Sequence, residues 1–292
     1  MAELDPRLVN PDGQPPLPVA AAEDYARQVT AWAQAPLPAT VRVARDLAYG
    51  PHRLQRCNVF APAQARQAPV LVFWHGGGWT HGYREWVTFM AAAVVARGLV
   101  LVAPSYRLAP EHPLPAGYHD ALALLAWLQR EAPAWGGAPD RLLLAGHSAG
   151  GHLAALAALR VADRTAAGVP AHAVRACLPV SGIHDLHEAS PAPGSLEERV
   201  YTMVLANGEP HLDTLLSPLY WAAGNGVPFD LRWGERDSPR VRKSNARLAA
   251  LLQAQPGAVC RTNVEPSLDH FQTHTGLHDP AHPWYERLAE FA

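Results

Sequence analysis

Gly146-His147-Ser148-Ala149-Gly150 is the stretch on which the reading of this chain turns. It has the G-x-S-x-G pattern, whose glycines leave room for a serine held on a sharp, strained turn. The run before it, Arg141-Leu-Leu-Leu-Ala-Gly146, is short and apolar, as a buried parallel strand requires. The run after it, Gly151-His-Leu-Ala-Ala-Leu-Ala-Ala-Leu-Arg160, is rich in strong helix formers. Strand, turn and helix thus follow one another in the order that lifts a serine hydroxyl to the edge of a sheet. A mere tight turn would need neither flank.

About seventy residues upstream, Ala68-Pro-Val-Leu-Val-Phe-Trp74 reads as a second buried strand that runs into His75-Gly76-Gly77-Gly78-Trp79. Alone, those glycines would be a flexible loop. Paired with the serine turn, they form a loop that aims backbone N–H groups at a developing oxyanion. The expected donors are the N–H groups of Gly77, Gly78 and Ala149, the last being the residue after the nucleophile. The two motifs together point to an α/β-hydrolase fold performing acyl transfer. Trp79, Tyr83 and Trp86 flank the glycine turn and are expected to line a substrate pocket, with plain core packing as the alternative.

The 292 residues are 49% hydrophobic and 17% charged, which gives a sizeable core and excludes a disordered chain. A formal net charge of −2 offers nothing to nucleic acid or to an anionic membrane. Cys57, Cys177 and Cys260 are scattered, without metal-ligand spacing, and suggest a reducing compartment. No signal-peptide pattern and no membrane-length apolar run is evident, so a cytoplasmic location is expected.

Residues 1–40 are rich in proline and alanine and read as a lid or wrapping segment with one helix, Ala20–Ala33. From residue 41 to 292 strands and helices alternate, which implies one catalytic domain: a mostly parallel sheet with helices on both faces. The expected strands are Val41–Leu47, Arg53–Phe60, Val70–Trp74, Leu99–Pro104, Leu142–Ala145, Ala176–Val180, Phe229–Gly234 and Ala258–Val264. The expected helices are Glu85–Arg97, Gly117–Glu131, Gly151–Ala162, Val241–Ala254 and Trp284–Ala292. The stretch from about 182 to 226 is an insertion expected to line the pocket.

A serine hydroxyl is a weak nucleophile at neutral pH and needs a base, itself oriented by a third group. In this fold the chain order is serine, acid, histidine. His270, in Ser267-Leu-Asp-His-Phe271 just after the last expected strand, is the candidate base. Asp237, in Glu235-Arg-Asp-Ser238 after the strand at 229–234, is the candidate acid, with Glu235 a close competitor and Asp269 a weaker one. His270, His274, His278 and His282 recur every four residues, but Gly276 and Pro280 break any helix through them. No H-E-x-x-H signature is present, and neither a metal nor an organic cofactor is expected. His147 is expected to pack beneath the serine turn. Tyr106-Arg-Leu-Ala-Pro-Glu-His112 is expected to brace the site by salt bridging and turn geometry.

His75-Gly-Gly-Gly-Trp79, Tyr106-Arg-Leu-Ala-Pro-Glu-His112 and Gly146-His-Ser-Ala-Gly-Gly151 resemble the hormone-sensitive-lipase-like esterases. Val180-Ser-Gly-Ile-His-Asp-Leu186, Trp233-Gly-Glu-Arg-Asp-Ser-Pro239 and Asp269-His-Phe271 resemble a narrower branch, the arylformamidases. His184 stands where that branch often has tyrosine, and residues 1–40 match no family motif. The resemblance implies a triad of Ser148, Asp237 and His270, in agreement with the chain-order argument. It implies a serine carboxylesterase for small esters, or alternatively an arylformamidase acting on N-formylkynurenine. A non-catalytic binding protein is the alternative of another class. The expected partner is a small ester or formamide, with a homodimer as the oligomeric option.

Overall fold

A computed structural model describes residues 13–205 and 211–292. Eight strands form one sheet: β1 (Val41–Ala48), β2 (Arg56–Pro62), β3 (Ala68–Trp74), β4 (Val100–Pro104), β5 (Gly137–His147), β6 (Val174–Val180), β7 (Phe229–Gly234) and β8 (Cys260–Glu265). Their order is β1-β2-β4-β3-β5-β6-β7-β8. The β1–β2 and β2–β4 pairs are antiparallel and every later pair is parallel. The central strands β3, β4 and β5 are apolar and almost wholly buried because helices cover both faces. The edge strands β1 and β8 are largely solvent-facing and correspondingly polar.

The helices are α1 (Ala20–Ala33), α2 (Ala91–Val95), α3 (Ala116–Glu131), α4 (Ala149–Leu159), α5 (Val161–Ala166), α6 (Leu196–Arg199), α7 (Leu212–Leu215), α8 (Pro239–Gln253), α9 (Gln272–Thr275) and α10 (Pro283–Phe291). Every residue of α4 is buried, which explains its run of alanine and leucine: no side of it faces water. The sequence predicts one helix through Ala162, yet the chain leaves helical geometry at Arg160 (φ −85°, ψ 70°) and restarts as α5. The break lets the buried Arg164 fold back and donate to the carbonyls of Ala157 and Ala158, which no helical N–H reaches. The helix predicted over 85–97 is a 3₁₀ segment, Arg84–Met90, followed by the short α2. The second strand starts three residues later than predicted, at Arg56, because Gly50–Gln55 form a turn.

Helix α1 docks across the C-terminal ends of the strands. Tyr25 and Val29 pack with Tyr83 and Trp86 in a small apolar cluster, and the Tyr25 hydroxyl is hydrogen-bonded to His274 Nδ1 at 2.7 Å. Trp32 stacks on His278 at 4.0 Å between ring centres. Residues 1–12 of the expected lid and 206–210 of the expected insertion lie outside the described residues.

Candidate active site

Ser148 sits between β5 and α4 with φ 55° and ψ −117°, a conformation unusual for a residue with a side chain. Its neighbours must be glycine. A Cβ on Gly146 would lie 2.4 Å from the Gly150 carbonyl carbon, and one on Gly150 would lie 2.1 Å from the Trp74 oxygen. The Ser148 N–H donates to the Val180 carbonyl at 2.9 Å, which ties the elbow to β6.

His270 and Asp237 converge on this serine from loops after β8 and β7. His270 Nε2 is 2.8 Å from Ser148 Oγ, and His270 Nδ1 is 2.6 Å from Asp237 Oδ1. The Asp237 side chain is completely buried. Its second oxygen accepts from Ser181 Oγ at 2.6 Å and from the Gly234 N–H at 2.7 Å. Burial pushes the Asp237 carboxyl up, but the hydrogen bonds from His270, Ser181 and Gly234 outweigh it and hold it below the ordinary value. Glu235 is exposed and accepts from the Ser267 N–H at 2.8 Å, while Asp269 caps its own turn through the N–H groups of Phe271 and Gln272. Neither competitor acid meets the imidazole.

Three groups that the sequence reading did not assign to this task hold His270 in place. Ser181, at φ 48° just after β6, contacts Thr273 Oγ1 at 2.8 Å, and Thr273 Oγ1 donates to the His270 carbonyl at 2.9 Å. His147 Nε2 lies 2.8 Å from the same carbonyl, and its ring stacks on His274 at 4.9 Å. Burial, then the nearby His270 and His274, pushes the His147 pKa well down, so it is neutral and can donate through Nε2. His147 therefore does more than pack beneath the turn. The sequence signals for Ser181 are its place directly after the strand beside the nucleophile's own and its membership of Val180-Ser-Gly-Ile-His-Asp-Leu186.

The glycine turn after β3 faces the serine. Gly77 has φ +116°, and a Cβ there would meet the His81 carbonyl at 2.1 Å. Among the described residues, the N–H groups of Gly77 and Gly78 donate to no protein acceptor. The turn is buttressed from below by Tyr106, which stacks on His75 at 4.4 Å and donates to the His75 carbonyl at 3.1 Å. Arg107 next to it donates to the fully buried Asp120 at 2.6 Å, so this segment does brace the site.

A cavity of about 280 Å³ opens above Ser148. His270, His147, Gly77, Gly78, Trp79 and Trp86 line it, together with Leu17, Val19, Ala22 and Tyr25 from the N-terminal segment and Leu196, Val200 and Val204 from the insertion. Tyr83 does not reach it. Expected at the pocket, Tyr83 instead packs behind Trp86, 6.1 Å between ring centres, and borders a separate depression with Gln14 and Arg27. Trp79 lies on the cavity wall at φ 60°, pinned by its indole N–H to His152 Nδ1 at 3.1 Å.

The histidines spaced by four residues go to separate tasks. His274 is buried against Tyr25, and burial pushes its pKa down to about 3. His278 stacks on Trp32, and His282 faces Glu265 at 3.6 Å. Among the described residues no group of three or more His, Cys, Asp or Glu side chains is arranged to hold a metal ion. Also among them, no helix is long and apolar enough to cross a membrane.

Carboxylesterase NlhH of Mycobacterium tuberculosis is 34% identical over 239 residues, spanning 77% of this chain and 73% of that protein. Esterase LipQ of the same species is 30% identical over 216 residues, 71% of this chain and 51% of its own length. Among solved structures, Esterase B from Lactobacillus rhamnosis shares the fold with a TM-score of 0.75 at 24% identity, over 93% of this chain and 92% of that one. The family model of the alpha/beta hydrolase fold matches residues 71–272. That span runs from β3 and the glycine turn through the serine elbow to His270, and by it the chain belongs to the alpha/beta hydrolase fold family.

Proposed function

We propose that this protein hydrolyses small carboxylic esters through an acyl-enzyme on Ser148. The observation that carries the reading is the continuous relay Ser148 Oγ, His270 Nε2, His270 Nδ1, Asp237 Oδ1, with both links in hydrogen-bond range at the floor of a cavity. His270 takes the serine proton as the hydroxyl attacks the ester carbonyl. Asp237 fixes the tautomer that leaves Nε2 free to accept, and stabilises the imidazolium that forms. The unpaired N–H groups of Gly77 and Gly78, with that of Ala149, receive the oxyanion. His270 then protonates the leaving alcohol, and water attacks the acyl-enzyme by the reverse route.

The carboxylesterase and esterase named among the relatives support the ester reading. Of the segments behind the arylformamidase resemblance, Asp237 and His270 belong to the relay that either reaction would use, Ser181 donates to Asp237, and His184 is fully buried. Of Ser181–Leu186 only Ile183 lines the cavity. Ser238 and Phe271 of the other two segments also line it, so these segments do not separate a formamide from an ester.

The experiment is kcat/KM for p-nitrophenyl butyrate beside N-formylkynurenine. Preference for the ester supports the reading. Preference for the formamide replaces it with the arylformamidase alternative. Turnover of neither, together with inertness to a phosphonate ester, would make this a binding protein.

A further inference from the structure

Besides apolar residues and the reacting set, the lining holds the polar Thr80, His81 and Ser238, and its charged side chains fall on the α6 and α8 side. There Glu197 and Arg199 project from α6, and Arg240 from the first turn of α8. Arg240 is fully engaged. It donates to the carbonyls of Asp185 at 3.3 Å and Leu186 at 3.1 Å, and lies 3.8 Å from the Glu197 carboxylate. Glu197 is thus the counter-charge of Arg240. Two further carboxylates of this region have partners of their own: Asp185 pairs with Arg247, and Glu198 accepts from the Gly194 N–H at 2.6 Å.

Arg199 is left over. Among the described residues its guanidinium forms no ion pair and no hydrogen bond, although its side chain lines the cavity and is only partly exposed. Arg199 lines the same cavity as Gly77, Gly78 and His81. His81, just past the glycine turn, is held below its ordinary pKa by burial first, and the charge of Arg199 adds to the effect. A cation left without a counter-charge in a largely apolar cavity is costly, and an ionised oxyacid that docks there removes the cost. The planar guanidinium fork suits a carboxylate in particular, because it can be met by two parallel hydrogen bonds.

We propose that Arg199 determines substrate class: this enzyme prefers small esters that carry a second, ionised carboxylate, which Arg199 binds while Ser148 attacks the ester carbonyl. The inference rests on the ester-hydrolase reading above, and it concerns the far end of the substrate. The carboxylate can sit on the acyl side or on the alcohol side, and two matched pairs distinguish them. Monomethyl adipate against methyl hexanoate places the charge on the acyl side; ω-acetoxyhexanoate against hexyl acetate places it on the alcohol side. Each pair exchanges a terminal methyl for a carboxylate and nothing else.

Binding of all four is measured by calorimetry with the Ser148→Ala protein, which reads recognition without turnover. In at least one pair the anionic member binds about tenfold more tightly, and the advantage shrinks in high salt. Adding Arg199→Ala brings the anionic-to-neutral ratio close to one, and Arg199→Lys restores part of it. Equal or better binding of the neutral member in both pairs overturns the proposal. So does a ratio that Arg199→Ala leaves unchanged. Failure of the ester reading is seen separately, as absence of turnover of any of the four by the unmodified protein.

Discussion

The floor of the cavity hangs from the C-terminal ends of β3, β5, β6, β7 and β8, whereas its roof is laid across them by Leu17–Tyr25 and Leu196–Val204. The floor is specified by backbone. Gly77, Gly146 and Gly150 are where they are because a Cβ would strike a backbone atom within 2.1–2.4 Å, and Ser148 and Ser181 are both held at positive φ. The roof is specified by side chains: Tyr25 on His274, Trp32 on His278, and Trp86 beneath Tyr25 at 5.4 Å between ring centres. Backbone demands leave a residue-type signature in the sequence, while side-chain docking leaves almost none. On the proposed reading the floor performs the chemistry and the roof selects what enters.

Four substitutions break or sharpen that contrast. Ser148→Ala removes the nucleophile and should lower kcat by about 10⁴-fold or more, with the circular dichroism spectrum retained. Equal activity in that variant would mean that the floor is scaffold only. Gly77→Ala drives a methyl into the His81 carbonyl and turns the expected oxyanion donors away. A loss of about 100- to 1000-fold in kcat is expected, with a much smaller change in KM.

Ser181→Ala tests the support behind Asp237. It deletes one of the three hydrogen bonds that hold the carboxyl down, so the carboxyl pKa rises. Because Asp237 must be ionised to orient His270, activity is then lost at a higher pH on the acid side, and kcat at neutral pH falls by about tenfold. Ser181→Thr keeps the hydroxyl and should recover most of it. A uniform loss with an unmoved acid limb would make Ser181 a packing residue. The smallest effect belongs to the roof: Tyr25→Phe loses the bond to His274, worth about 1 kcal/mol. Melting temperature should fall by about 2–4 °C, with at most a few-fold change in kcat/KM. A Tyr25→Phe defect as large as that of Gly77→Ala would erase the distinction between the two regions.

How much could be read in advance follows the same division. Eight apolar or alternating runs announce the eight strands, since central parallel strands must be apolar on both faces. Ser148, Asp237 and His270 were legible because glycine spacing marks the elbow, and chain order marks loops after late strands. Arg160 could not be read as a break, because the contact that accompanies it, Arg164 folded back onto the Ala157 and Ala158 carbonyls, has no local sequence mark. Tyr83 and Trp86 are alike in sequence but not in space: Tyr83 is extended just before the 3₁₀ segment that carries Trp86, and Trp86 lines the cavity while Tyr83 backs it. Ser181 and Thr273 meet only after β6 and the loop beyond β8 are brought together, 92 residues apart in the chain. A lone serine or threonine in a turn carries no signal of that meeting.

The measurement closest to the central claim is the mass of the intact protein, then of its peptides, after exposure to a p-nitrophenyl alkylphosphonate. The account predicts one adduct per chain, on the peptide carrying Ser148, formed with release of one equivalent of p-nitrophenol and absent from Ser148→Ala and slowed in Asp237→Asn. No adduct, or an adduct on a different residue, would contradict it.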